Sequence, residues 1–152
     1  MSDETTLERL LAENQSYIFE SFDQQTAWRV GSAAVDIITE RGLAMAVRIL
    51  IGDYEVFKAA VGGVLQDTDP WLVGKAMTVA HFDQASLLVR LRAEVEPAIV
   101  DGLDPDIYRT HGGAVPIRVA GIGTVGIIAT SGAPDRTDHA VATEALQRVI
   151  LK

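Results

Sequence analysis

Cysteine is absent from the 152-residue chain, which excludes disulfides, thiolate nucleophiles and Cys-ligated metals. Lysine is confined to three scattered positions, Lys58, Lys75 and Lys152. With a net charge of −8, and no basic cluster to offset it, nucleic acid and anionic lipid are excluded as partners. No apolar run reaches the roughly 18 residues that span a bilayer. The start, Met1-Ser2-Asp3-Glu4, is acidic where a secretory leader carries basic residues, so a cytoplasmic location is expected. Aromatic residues are sparse at 6%, yet 48% of the chain is hydrophobic. That surplus needs an outlet, and a subunit interface supplies one, so a homo-oligomer is expected.

The length suits one domain over residues 1–152. Leu7, Leu10 and Leu11 predict a short helix over 3–14, and alternation predicts a strand over 16–22. Asp23 is the expected N-cap of a helix over 24–41, whose small residues Ala27, Gly31 and Ala34 would let it lie close to a sheet. Apolar runs over 44–51 and 54–61 around Gly52-Asp53 predict a hairpin. Asp69-Pro70 reads as cap plus first helical residue of a helix to His81. Asp83 is the expected cap of a further helix to Glu96, and Asp104-Pro105 begins a short turn to Thr110. A second hairpin falls over 115–120 and 123–130. A last helix over 136–151 has Asp135 as its expected N-cap and Asp138 in the place of a capping-box acid. Hairpins argue against a doubly wound parallel sheet.

Several local patterns carry possible chemistry. Gly121-Ile122-Gly123-Thr124-Val125-Gly126 has the letters of a dinucleotide fingerprint, but it runs into a strand instead of opening a helix, so it reads as a glycine-rich hairpin. His111-Gly112-Gly113 has the form of an oxyanion-hole loop, but its partner motif G-x-S-x-G is missing. The plainer role is a loop histidine with glycines at positive φ. His81, His111 and His139 show no metal-ligand spacing. Asp138 and His139 lie in the first turn of the last helix, where carboxylates are favoured and an imidazole is held neutral, free to ligate a metal. Helix capping by Asp138 and a hydrogen-bonded His139 explain the same pair. Trp71 and Lys75 stand one helical turn apart. Lys75 could face an anionic ligand, although an exposed lysine over the indole is the commoner arrangement.

Residues 111–146, HGGAVPIRVAGIGTVGIIATSGAPDRTDHAVATEAL, closely resemble the haem-degrading-domain family, also called GlcG-like or HbpS-like, and within it a branch of short stand-alone cytoplasmic proteins. The resemblance rests on His111, Gly112, Gly113, Pro116, Ile117, Arg118, Val119, Gly121, Gly123, Gly126, Ser131, Gly132, Pro134, Asp138 and His139. Ser21-Phe22-Asp23, Ala27, Gly31 and the Trp71/Lys75 pair extend it over nearly the whole chain. One departure is Asp83-Gln84-Ala85-Ser86, where members often carry a Gly-His-Ser-Ser-like stretch. The resemblance implies an α+β, profilin-like fold: a five-stranded antiparallel sheet with helices packed on its faces. It also implies symmetric oligomers and, in some members, haem binding or breakdown.

Two readings of function follow. In one, the chain binds haem or another small ligand through His111, Gly112, Gly113, Arg118, Asp138, His139 and Lys75, with a histidine on iron and Arg118 on a propionate. In the other, it is a non-catalytic assembly protein, and the same segments fix strand-to-helix geometry. An enzyme using Lys75 with Asp138-His139 as acid–base groups ranks behind both, since nothing in the sequence brings Lys75 and His139 together. Whether the chain catalyses any reaction is left open by its residues.

Overall fold

The computed structural model describes residues 6–151. Residues 3–5 of the expected first helix lie outside them. The elements run α1 (Leu7–Glu13), β1 (Ile18–Phe19), α2 (Gln24–Glu40), β2 (Met45–Ile51), β3 (Tyr54–Val61), α3 (Asp69–Phe82), α4 (Ser86–Val95), β4 (Ala114–Val119), β5 (Gly123–Ser131) and α5 (Asp135–Ile150). Single 3₁₀ turns at Gln66–Thr68 and Pro97–Val100 punctuate them.

The five strands form one sheet in the order β1-β4-β5-β2-β3. The two expected hairpins, β2–β3 and β4–β5, are antiparallel, and so is the central β2–β5 pairing. The sheet is nonetheless mixed, because β1 pairs with β4 in parallel. No tight turn ties β1 to its neighbour, so nothing local imposes antiparallel pairing on it.

Alternation along the strands divides the interior in two. Met45, Val47 and Ile49 of β2, Val115, Ile117 and Val119 of β4, and Ile128 of β5 join a large core with α1, α2, α4 and α5. Ala46, Leu50, Ala114, Ile127 and Ala129 turn the other way, onto Leu72, Ala76 and Val79 of α3. Strands buried on both faces read as continuous apolar runs, which is why 44–51 lacks a clean alternation. Fully buried side chains such as Ile37, Leu88 and Leu146 each contribute about 1.5–3 kcal/mol. Close approach of α2 to the sheet depends on Gly31, where a Cβ would stand 2.5 Å from the Phe57 ring.

Helix starts depart from expectation in three places. Asp23 caps α2 as expected, its Oδ1 accepting from the Thr26 N–H at 2.8 Å. Asp69, by contrast, is the first residue of α3, because the preceding 3₁₀ turn puts Thr68 at the cap. Asp83 does not cap α4. It closes α3 in the left-handed conformation (φ 55°), and α4 begins at Ser86. Pro134 occupies the α5 cap position, and Asp135 is already helical.

Candidate functional site: the cleft between α3 and the start of α5

The N-terminal half of α3 lies over β5, and Trp71 and Lys75 share one of its faces. Lys75 is not the exposed lysine that sequence spacing favoured. Its side chain is 3% exposed, and its Nζ donates to the Thr130 carbonyl of β5 at 2.9 Å. The same nitrogen lies 3.1 Å from Oδ2 of Asp138, whose side chain is 2% exposed. Arg109, not Lys75, covers the indole, with its guanidinium 4.2 Å from the Trp71 ring centre.

Asp138 serves two partners. Oδ1 accepts from the Ala133 N–H at 2.9 Å, reaching back as a capping-box acid does, and Oδ2 faces Lys75. The Thr130 hydroxyl lies within hydrogen-bond reach of the Gly113 carbonyl (3.0 Å) and the Asp138 carbonyl (2.7 Å), which fastens β4, β5 and α5 together. Removal from water pulls Lys75 below the ordinary lysine range, against the pull of the Asp138 charge. The same burial pushes Asp138 up, against Lys75 and the backbone N–H groups that bond it. Each charge offsets part of what burial costs the other.

The HGG segment supplies room and one wall. A Cβ on Gly112 would stand 2.5 Å from the Asp135 carbonyl oxygen. At Gly113 (φ 138°) it would stand 2.3 Å from the Thr130 carbonyl oxygen and 2.9 Å from the Lys75 Nζ. These glycines let the start of α5 and the lysine approach the strand. His111 is exposed, and its ring stands edge-on to Trp71, 5.0 Å between centres at 87°.

The result is a cleft of about 300 Å³ lined by Trp71, Lys75, His111, Ser131, Asp135 and Asp138, with Asp67 at its rim. Asp135 is ion-paired with Arg90. A slightly larger hollow of about 370 Å³ lies over α2 and α5, but its polar residues, Gln25, Arg29, Ser32, Asp36 and Arg148, are all exposed. The smaller cleft holds the buried charges.

The structure brings together Lys75, His111, Gly112, Gly113 and Asp138, and it does not bring in Arg118 or His139. Successive helical residues point about 100° apart, and His139 turns toward α1. There its Nε2 lies 2.7 Å from Oε1 of Glu13. Arg118 donates to the carbonyls of Asn14 (2.8 Å) and Asp83 (2.6 Å). Both side chains line a crevice of about 10 Å³ under α1, too small for a ligand. Sequence reasoning missed Thr130 and Arg109. Thr130 is one polar residue in an apolar strand, and Arg109 lies in a loop with no motif of its own. The Gly121–Gly126 segment is a β4–β5 hairpin, as its strand context implies, with Gly121 and Gly123 at positive φ. Ser86, in the stretch that departs from the family pattern, is buried and accepts from the Ala114 N–H at 3.1 Å. Among the described residues no group of His, Asp and Glu is placed to hold a metal ion. No helix there is long and apolar enough to cross a membrane.

Comparison with known proteins bears on this arrangement. A UPF0303 protein of Streptomyces coelicolor is 35% identical over 148 residues, covering 95% of this chain and 94% of its own. Among solved structures, the Ybr137w protein superposes with a TM-score of 0.88 at 23% identity, over 96% of this chain and 90% of that one. The crystal structure of a PduOC:heme complex superposes with a TM-score of 0.69 at 20% identity, over 84% and 94%. At these identities the two structures establish the fold. Residues 22–147 match the family described as haem degrading protein HbpS-like, and the chain belongs to that family.

Proposed function

We propose that the chain is a small-ligand-binding protein whose site is the α3–α5 cleft, with haem as the ligand class and His111 as the iron ligand. One observation carries this reading: the cleft combines an exposed imidazole, an aromatic wall and a buried ion pair within one concavity. Ligand sites are typically apolar-walled concavities with a few convergent polar groups and perturbed ionisable residues. At about 300 Å³ the cleft is at the small end of that range, fit for a compact ligand or for one edge of a macrocycle. Family membership and the haem-bound fold relative favour haem. His139 is engaged with Glu13, and Arg118 with Asn14 and Asp83, so neither serves this ligand.

A haemin titration followed by absorbance, on wild type, His111→Ala and His81→Ala, tests the reading. The expected result is a saturable, stoichiometric Soret shift that is lost in His111→Ala and kept in His81→Ala. A wild type without a specific shift removes haem as the ligand.

Self-association is a second reading, favoured by the outer face of α3. Val73 and Met77, one turn apart, are 47% and 38% exposed on a helix whose inner face is already buried. A helix apolar on all sides is normally covered on all sides. A second copy of this chain is the proposed cover.

A further inference from the structure

A buried ion pair at the floor of a cleft is not explained by stability. Replacing such a pair with apolar residues of similar size is often neutral or stabilising. The Lys75 ammonium has three N–H groups. Thr130 and Asp138 engage two of them, and no partner among the described residues takes the third. Gly113 lets the ammonium lie against the strand, where any Cβ would stand 2.9 Å from it, and Lys75 and Asp138 both line the cleft.

Charge decides what could enter. Lys75 is balanced by Asp138, and Asp135 by Arg90, while Asp67 adds negative charge at the rim. An anionic ligand would meet no unpaired cation at the floor. A small neutral molecule with a hydrogen-bond acceptor suits the third N–H of Lys75.

We infer that the cleft takes a small neutral aldehyde or ketone, and that Lys75 is the nucleophile that joins it as an imine while Asp138 carries the proton. The inference rests on the cleft being a ligand site, not on that ligand being haem. Asp138 Oδ2, 3.1 Å from Nζ, is placed to take the proton from the ammonium and free the amine lone pair, and burial, which draws Lys75 down and Asp138 up, favours that transfer. The amine nitrogen bonds to the carbonyl carbon, the C=O π pair moves to oxygen, and Asp138 protonates that oxygen. Asp138 then takes a proton from nitrogen and returns it to the hydroxyl, which leaves as water. The product is a protonated imine on Lys75 beside ionised Asp138, with no external oxidant or reductant in the balance.

Reductive trapping tests this. Protein is treated with propanal or butanone and cyanoborohydride, and alkylation is followed by peptide mass mapping. Lys58, exposed and paired with Asp69 at 2.9 Å, is the internal reference. Lys75 is expected to be alkylated at least about tenfold faster than Lys58, since the free amine and not the ammonium is the nucleophile. In Asp138→Asn the Lys75 rate is expected to fall by about 100-fold, the lower end of what a positioned acid–base group contributes, with Lys58 unchanged. The wild-type ratio needs no variant. Equal rates at the two lysines overturn the inference, as does an Asp138→Asn protein that still alkylates Lys75 at the wild-type rate. A Soret shift without Lys75 alkylation removes the imine and keeps the haem reading. Alkylation without a Soret shift does the reverse.

Discussion

Lys75 and Asp138 stand 63 residues apart in sequence and 3.1 Å apart in space, each side chain 3% exposed or less. They join the inner face of α3 to the first turn of α5 across the end of β5. Their separation sets what each substitution should do.

Removing either partner leaves the other charge buried and unpaired. Lys75→Met and Asp138→Asn are each expected to cost about 3–5 kcal/mol. The double variant should cost much less than the sum. Urea unfolding of the four proteins in a double-mutant cycle measures the coupling. Additive costs would mean that neither charge offsets the other's burial.

Gly113→Ala is expected to destabilise by about 1–3 kcal/mol, as overpacking does. The added methyl would press on the Thr130 carbonyl and on the lysine nitrogen, at a φ that L side chains rarely adopt. Gly123→Ala is the control. Its φ of 104° also lies beyond the left-handed region open to L side chains, and nothing stands within 4 Å of the added atom, so its cost should be the backbone strain alone. Thermal unfolding of the two variants separates contact from strain.

The pattern of this difference, contact against strain, also marks what the sequence could reveal. Element order, both hairpins and the Asp23 cap follow from periods and caps that act over a few residues. So does the recognition of Gly121–Gly126 as a turn. The Lys75–Asp138 pair has no such signature, because a pairing across α3, β5 and α5 is decided by packing. Spacing made Lys75 an exposed neighbour of Trp71, and packing made it the cleft floor. Asp138 and His139 were legible as a pair in a first helical turn. Their divergence by about 100° follows from the helix, but that His139 is covered by Glu13 of α1 is decided by packing. The parallel pairing of β1 was equally invisible, since Ile18–Phe19 is held by β4 and by no turn.

Alkaline stability should report Tyr17. Burial first, then the Glu13 charge, push its hydroxyl up from 10.0 to about 12. The folded state therefore holds this proton longer than the unfolded chain. The associated stability is complete below pH 10 and is lost as pH rises from 10 through about 12. Tyr17→Phe should remove that alkaline decline, and tyrosinate absorbance should lose its last-titrating component. An unchanged alkaline limb in the variant would assign the loss to other groups.

Met77→Glu tests the outer face of α3. Val73 and Met77 lie about a third of a turn round the helix from Leu72, Ala76 and Val79, which pack on the sheet. A glutamate there touches none of the inner contacts, so the fold and the Lys75–Asp138 pair should be unaffected. If a second copy covers this face, the substitution places a charge in an apolar interface. Light scattering should then show a smaller particle than wild type, with unfolding in urea at high dilution unchanged. Wild type that is already monomeric at micromolar concentration, or a variant of wild-type particle size, would mean that α3 is not the interface. The same samples carry the haemin titration. A cleft that keeps its ligand in the dispersed variant functions within one chain, and one that loses it requires the neighbouring copy.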